Sequence, residues 1–248
     1  MHSPLLHRAI VTLVAWMLPV TAAVAQDAKP DSAKPLKVTA GLAYLSATGN
    51  TDVTSLTLNE RLEWTRPHFL WTQSAKGVSA TNDGEESANL LVIGLRGDWK
   101  PRGRLSVYGL VNYDRNRFAN VGGRFEEGVG LGYALIDRPR HRLTTELGSQ
   151  LVQQENLEKV SDSFLAGRAA EVYRYTFKES SYLEERLEYL PNLETSEDYR
   201  MNGEASLVAP LSRHLAIKLG YLVQFDNLPE PGVKKTDRFF TSGLQVSF

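Results

Sequence analysis

Gly128-Val129-Gly130-Leu131-Gly132 has the glycine density of a loop that cradles a phosphate. That chemistry needs a strand before the glycines and a helix after them, whose N-terminus holds the pyrophosphate. Here the apolar alternation runs on through Tyr133 and Leu135, and Asp137-Arg138-Pro139 then turns the chain. The segment therefore reads as one strand with all three glycines on the same face. They leave room for large side chains opposite or ease strand curvature, and no cofactor is expected.

Beyond the first 25 residues the histidines are His68, His141 and His214, each in a short turn. A hydrolase or acyltransferase built on a strand wall would need a serine and a histidine within hydrogen-bond reach. Turn histidines are poorly placed for this, so a non-enzyme is expected, with a lipid-modifying enzyme as the alternative. Asp83-Gly84-Glu85-Glu86, Glu126-Glu127 and Glu194-Thr195-Ser196-Glu197-Asp198 gather carboxylates. Hard cations favour such oxygens, yet none of these has the spacing of a calcium loop. They read as solvated loop charge, and no metal is expected. With no cysteine, the chain has no thiol nucleophile, disulfide or thiolate metal site. A net charge of -1 implies no nucleic-acid partner.

The elements that would position any site are strands. At the C-terminus, Ser242, Leu244, Val246 and Phe248 alternate with Thr241, Gly243, Gln245 and Ser247, and the chain stops on the aromatic residue. Leu215, Ile217, Leu219, Tyr221, Val223 and Phe225 make the cleanest stripe, and Leu91, Ile93, Leu95 and Trp99 another. The period is two, not 3.6. Tyr182 to Leu190 is ambiguous, since Leu183, Leu187 and Leu190 also fit a helix, as is 150–162; both are kept as strands. Breaks near Pro67, Pro101, Pro139, Lys178 and Pro210 read as short. Those near Asn50, Asn82, Asn120, Glu158, Ser196 and Pro231 read as longer. Short turns alternating with longer loops, and an even strand number, are the pattern of a membrane barrel. The expected fold is all-β: an antiparallel up-and-down transmembrane barrel of about 12 strands over residues 38–248. A soluble periplasmic β-sandwich is the lower alternative.

Arg8, the apolar run Ala9 to Val20 and Ala23-Val24-Ala25 are the three parts of a secretory signal peptide, expected over residues 1–25. Residues 26–37, rich in Ala, Lys, Pro and Asp, read as a disordered periplasmic lead-in. Localisation in the outer membrane is expected, with outer-membrane lipids as partners. The barrel assembly machinery is a further expected partner, reached through the last strand ending at Phe248.

Strand parity turns several charges toward a lumen: Arg96, Asp98, Glu146, Arg168, Glu184, Arg186, Glu188 and Lys218. A lumen lined by both signs fits either a narrow wet pore or a cross-linked plug. Aromatics near strand ends suit the headgroup depth of a membrane girdle: Tyr44, Trp64, Trp71, Trp99, Tyr113, Tyr133, Phe225 and Phe248. Arg66, Lys100, Arg102, Arg104, Arg138, Arg140, Arg142 and Arg213 make the short turns basic. They suit anionic phospholipid headgroups or act simply as polar anchors of strand ends.

Gly41-Leu42-Ala43-Tyr44 leading into Thr48-Gly49-Asn50-Thr51-Asp52 resembles the opening of the domain-of-unknown-function 481 family, salt-induced outer-membrane proteins of Gram-negative bacteria. Tyr113-Asp114-Arg115-Asn116-Arg117-Phe118, the Gly128/Gly130/Gly132-Tyr133 strand, and Lys234-Lys235-Thr236-Asp237 before the terminal Phe248 add to the likeness. The resemblance implies an outer-membrane barrel and a link to salt or osmotic stress. It brings no catalytic residue. The expected role is thus a narrow small-solute pore or an envelope component.

Overall fold

The computed structural model describes residues 35–47, 53–101, 103–178, 181–229 and 232–248. The signal peptide expected over 1–25, the lead-in as far as Lys34 and the Thr48–Asp52 motif lie outside the described residues.

Alternation by twos produces strands throughout. They are β1 (Leu36–Ala47), β2 (Val53–Arg66), β3 (Phe69–Asn82), β4 (Glu85–Trp99), β5 (Leu105–Asn116) and β6 (Val121–Asp137). There follow β7 (His141–Asn156), β8 (Ser161–Lys178), β9 (Ser181–Pro191), β10 (Tyr199–Pro210), β11 (Leu215–Asp226) and β12 (Thr236–Ser247). β1 starts two residues ahead of the boundary expected at Val38. Each strand pairs antiparallel with its sequence neighbours, and β12 closes onto β1. The closing register sets Thr39 against Ser247 and Leu42 against Leu244. Val38 and Phe248 extend it with backbone bonds of 3.1 and 2.9 Å. Every strand has a partner on each side, the β1–β12 seam being short, with Thr39 to Leu42 set against Leu244 to Ser247. Closure confirms the 12-stranded antiparallel barrel and overturns the sandwich alternative.

The start of β1, the end of β12 and the turns after β2, β4, β6, β8 and β10 gather at one end, here the terminal end. The other connections form the loop end. Loop lengths follow the expected alternation less well than strand number does. The connection near Asn82, expected to be long, turns on Asp83-Gly84 alone, at φ 51 and 82. Two successive positive φ values match the right-handed twist of the flanking strands, and Asp-Gly supplies them cheaply.

The ambiguous segment is the strand β9. Leu183 and Leu187 satisfy a helix, but spacing by four also keeps them on one face of a strand. Pairing decides, because β9 lies between β8 and β10 along its length. Leu187 and Tyr189 are exposed on the outer wall. The 150–162 region is the end of β7, a turn and the start of β8. Asn156 caps the turn by accepting at Oδ1 from the Glu158 and Val160 N–H groups, at 3.0 and 2.9 Å.

Apolar side chains stand outward on most strands: Leu42, Leu58, Leu95, Val129, Leu131, Leu147, Leu187, Ile217 and Leu244 are exposed. An outer apolar band around a polar interior is the inverse of a soluble protein and the surface of a membrane-spanning barrel. One part of the interior is dry. Val152, Phe164 and Ala166 pack together there, with Val152 and Ala166 wholly buried.

Candidate functional site: a cross-linked lumen

At mid-lumen, Arg96 of β4 binds both sides of a carboxylate cage. Its Nη2 donates to Asp98 Oδ1 at 2.6 Å and to Glu146 Oε1 at 2.7 Å, while Nη1 donates to Glu146 Oε2 at 2.9 Å. Glu146 lies on β7, so this bidentate pair spans the lumen side of β5 and β6. Arg168 of β8 continues the lattice. Its Nη1 donates to Glu146 Oε2 at 2.7 Å and to Tyr108 Oη at 2.8 Å, and its Nε to Glu188 Oε1 at 2.7 Å. The Tyr108 ring lies between the two guanidinium groups, 4.2 Å from Arg96 and 5.2 Å from Arg168.

Tyr108 has room because the facing positions are glycine. A Cβ on Gly130 would collide with Tyr108 Oη and Leu147 O, and one on Gly148 with Val129 O and Tyr108 Oη. The glycine run is thus a recess for an aromatic ring. Charges held this deep must satisfy one another, since a lone buried charge costs several kcal/mol. The bidentate forks meet that need geometrically.

A second tier lies toward the loop end. Arg200 of β10 reaches across to Glu126 of β6, Nη2 to Oε1 at 2.8 Å. Arg124 stands beside them, 3.8 Å from Asp114 and 3.1 Å from Gln154 Oε1. Farther round, Asn116 Nδ2 of β5 donates to Asp237 Oδ2 of β12 at 3.1 Å. Asn116 is fixed for this, because its Oδ1 also caps the 3₁₀ turn Arg117–Ala119, accepting from Phe118 N and Ala119 N. Asn116 and Asp237 belong to two of the motifs singled out above, Tyr113–Phe118 and Lys234–Asp237. The fold brings those motifs together across the lumen.

Of the eight charges read toward the lumen, Arg96, Asp98, Glu146, Arg168 and Glu188 share the first lattice. Glu184 and Arg186 form a separate group with Arg174, Arg186 Nη2 donating to Glu184 Oε1 at 2.6 Å and Arg174 paired to Glu184 Oε2. Among the described residues Lys218 pairs with Glu204, at 3.8 Å. This group is wetter: the Arg186 side chain is 39% exposed, against 9% for Arg168. The Arg200–Glu126 tier escaped the sequence reading. Glu126-Glu127 was expected as solvated loop charge, and this is corrected. Both residues lie well inside β6, Glu126 buried in the lumen and Glu127 exposed on the outer wall. The available signal was parity, since Glu126 shares the face of Gly128, Gly130 and Gly132.

Below the lattice, toward the terminal end, a cavity of about 650 Å³ is lined by Arg61, Thr72, Lys100, Arg104, Arg142 and Arg186 among others. Its lining includes turn residues, so it is a vestibule opening at that end. The three histidines stand on the same rim. Their Nδ1 atoms contact Lys100 O at 3.3 Å (His68), Tyr173 Oη at 2.9 Å (His141) and Ser247 O at 3.0 Å (His214).

Of the girdle aromatics, Trp64, Trp71, Trp99, Tyr133 and Phe248 are exposed near the terminal end. Trp64 and Trp71 are direct cross-strand partners. Tyr44, Tyr113 and Phe225 lie near the loop end, Tyr44 exposed and the other two half-buried. Phe225 packs on Tyr199, ring centroids 5.9 Å apart. Tyr113 covers Gly123.

A closed antiparallel barrel with an apolar exterior and a charged, cross-braced interior defines a porin-like membrane barrel. The chain belongs to the DUF481 family, described as a protein of unknown function, which matches residues 38–248. It is 23% identical over 247 residues to the uncharacterized protein YdiY of Escherichia coli (strain K12), covering 96% of each chain. In structure it is similar to the NanC porin, with a TM-score of 0.51 at 11% identity over 85% of this chain and 98% of that one. The translocator domain of the Neisseria meningitidis autotransporter NalP follows, with a TM-score of 0.48 at 14% identity over 88% and 90%. At such identity the NanC likeness is one of fold.

Proposed function

We propose that this chain is an outer-membrane barrel, exported by the signal peptide at residues 1–25, that passes small solutes only when its cross-lumen pairs part. The carrying observation is that Arg200 and Glu126 meet across the lumen while both stay buried. An open porin would hold such groups apart and wet. The vestibule and the part-exposed Arg186 and Lys218 side chains supply a charged path on one wall. The barrier lies in the two braced tiers.

A second reading is a purely structural envelope barrel. The dry Val152–Phe164–Ala166 packing favours it, since solute cannot pass where side chains interlock. No enzymatic step is assigned. The salt-stress role implied by the family resemblance joins the first reading through the part-exposed Arg186–Glu184 pair, since solvent-reachable ion pairs weaken as ionic strength rises, while the buried Arg200–Glu126 pair is screened much less.

Refolded full-length protein in planar lipid bilayers, with heat-modifiability on gels as the folding control, separates these readings. A gated conduit gives rare, small current steps in the unaltered protein that become frequent in E126Q/R200Q. A structural barrel stays silent in both. Large, steadily open currents in the unaltered protein would falsify the gate.

A further inference from the structure

The rim at the terminal end of the barrel is basic. Antiparallel strands bring the turns after β2, β4, β6 and β10 to one rim, and with them Arg66, Lys100, Arg138, Arg140, Arg142 and Arg213, all exposed. Only Arg142 has an acidic partner among the described residues, Asp137 at 3.8 Å. The opposite end is mixed, with Asp83, Glu85, Glu86, Glu194 and Glu197 beside Arg117, Lys159, Lys234 and Lys235. Drawn from four turns separated by tens of residues in sequence, these basic side chains come to one rim only when the barrel closes.

Height is the second observation. Trp64, Trp71 and Trp99 are exposed on the outer wall at this same end. Indole rings settle at the headgroup boundary, so they mark where hydrocarbon stops. Arg66 follows Trp64 by two residues and lies over its ring, 4.6 Å from the centroid, and Lys100 follows Trp99 directly. At about 3.3 Å of rise per residue, the basic rim stands a few ångströms beyond the indoles, at the depth of lipid phosphates.

Resting on the membrane reading above, we infer that this basic rim is a docking surface for anionic phospholipid headgroups of the leaflet at the terminal end. Arginine suits the role because its planar fork binds phosphate oxygens in pairs. The rim ties the barrel's height and orientation to that leaflet. Lipid phosphate is preferred to a soluble anion as occupant because the charges adjoin the membrane-facing tryptophans.

The tryptophans also provide the assay. The chain has four, three of them at this rim and the fourth, Trp16, within the first 25 residues of the sequence. In the full chain carrying W16F, refolded into vesicles, fluorescence quenching by brominated lipids therefore reports lipid contact at this end alone. Quenching by brominated phosphatidylcholine tests insertion itself, and its absence overturns both the membrane reading and this inference. Given insertion, brominated phosphatidylglycerol is expected to bind about threefold or more tightly than phosphatidylcholine at low salt. That preference is expected to fall toward one at about 0.5 M salt, where the Debye length is only a few ångströms. R138Q/R140Q/R213Q is expected to abolish it, R138K/R140K/R213K to retain most of it, and K234Q/K235Q at the far end to leave it unchanged. A preference near one in the starting protein, or one that survives the glutamine variant or high salt, overturns the inference. Should the glutamine variant fail to fold, the salt series on the starting protein decides.

Discussion

Arg200 on β10 and Glu126 on β6 meet across the lumen at 2.8 Å, with β7, β8 and β9 between them in the wall. Both side chains are about 90% buried. This contact joins opposite walls of the barrel. Its energetics are asymmetric: the intact pair adds little net stability, while a broken one leaves a charge stranded in a low dielectric.

R200M or E126L alone is accordingly expected to destabilise the folded barrel by about 3–5 kcal/mol. E126L/R200M together should recover most of that loss. Urea unfolding in lipid, followed by tryptophan fluorescence, reads the three values. Additive losses in the double variant would mean that the two residues act independently.

Gly130 and Gly148 face Tyr108, and no Cβ fits at either position without striking backbone oxygen. G130V and G148V are expected to lose at least about 1–3 kcal/mol, the cost of overpacking. Heat-modifiability should show part of the material unable to fold. G130V combined with Y108A relieves the ring contact but not the one with Leu147 O, so its rescue should be partial.

Asn116 has two tasks, capping the 3₁₀ turn and bonding Asp237. D237N keeps a partner able to accept from Asn116 and should be mild. N116A loses both tasks and should cost about 1–2 kcal/mol. It should also raise the frequency of bilayer current steps. A stability loss with no electrical change would make the contact a brace and not part of the barrier.

Glu60 stands on the outer face of β2 between Leu58 and Leu62, and its Oε2 is buried without a hydrogen-bond partner. An unsatisfied buried polar atom costs about 1–3 kcal/mol, so E60L is expected to stabilise the barrel by roughly that amount. Loss of stability, or of oligomers on cross-linking, would instead show that the carboxylate meets a partner in the membrane.

Phe248 closes the seam through its backbone bonds to Val38 and its ring stacked on His214 at 5.7 Å. Deleting it should lower the temperature at which the folded band is lost on gels. If the assembly machinery reads this terminal residue, insertion in cells should fall more steeply than stability in vitro.

Much of this architecture is local and therefore legible in the sequence. Period-two stripes such as Leu215 to Phe225 specify a strand because successive side chains must leave opposite faces. Turn residues such as Asp137-Arg138-Pro139 cut the chain at the places the barrel uses, and the same parity marked Arg96, Glu146 and Arg168 for one side of the wall. Loop length was less readable. Asp83-Gly84 reads in the sequence as part of an acidic loop, whereas its backbone preference makes it a two-residue turn.

Which charge meets which could only be settled by closure. Strand parity says that Arg96 and Glu146 face the same side, but not that a bend of the sheet through β5 and β6 sets them 2.7 Å apart. Arg200 with Glu126, and Asn116 with Asp237, are likewise products of strand tilt and register accumulated around the ring. Those contacts depend on residues 74 and 121 positions apart in the chain. Alternation is a property of each peptide unit, so the sequence alone determined the strands and their faces. Distance across a lumen is a property of the whole closed sheet, so only the tertiary structure decided the partners.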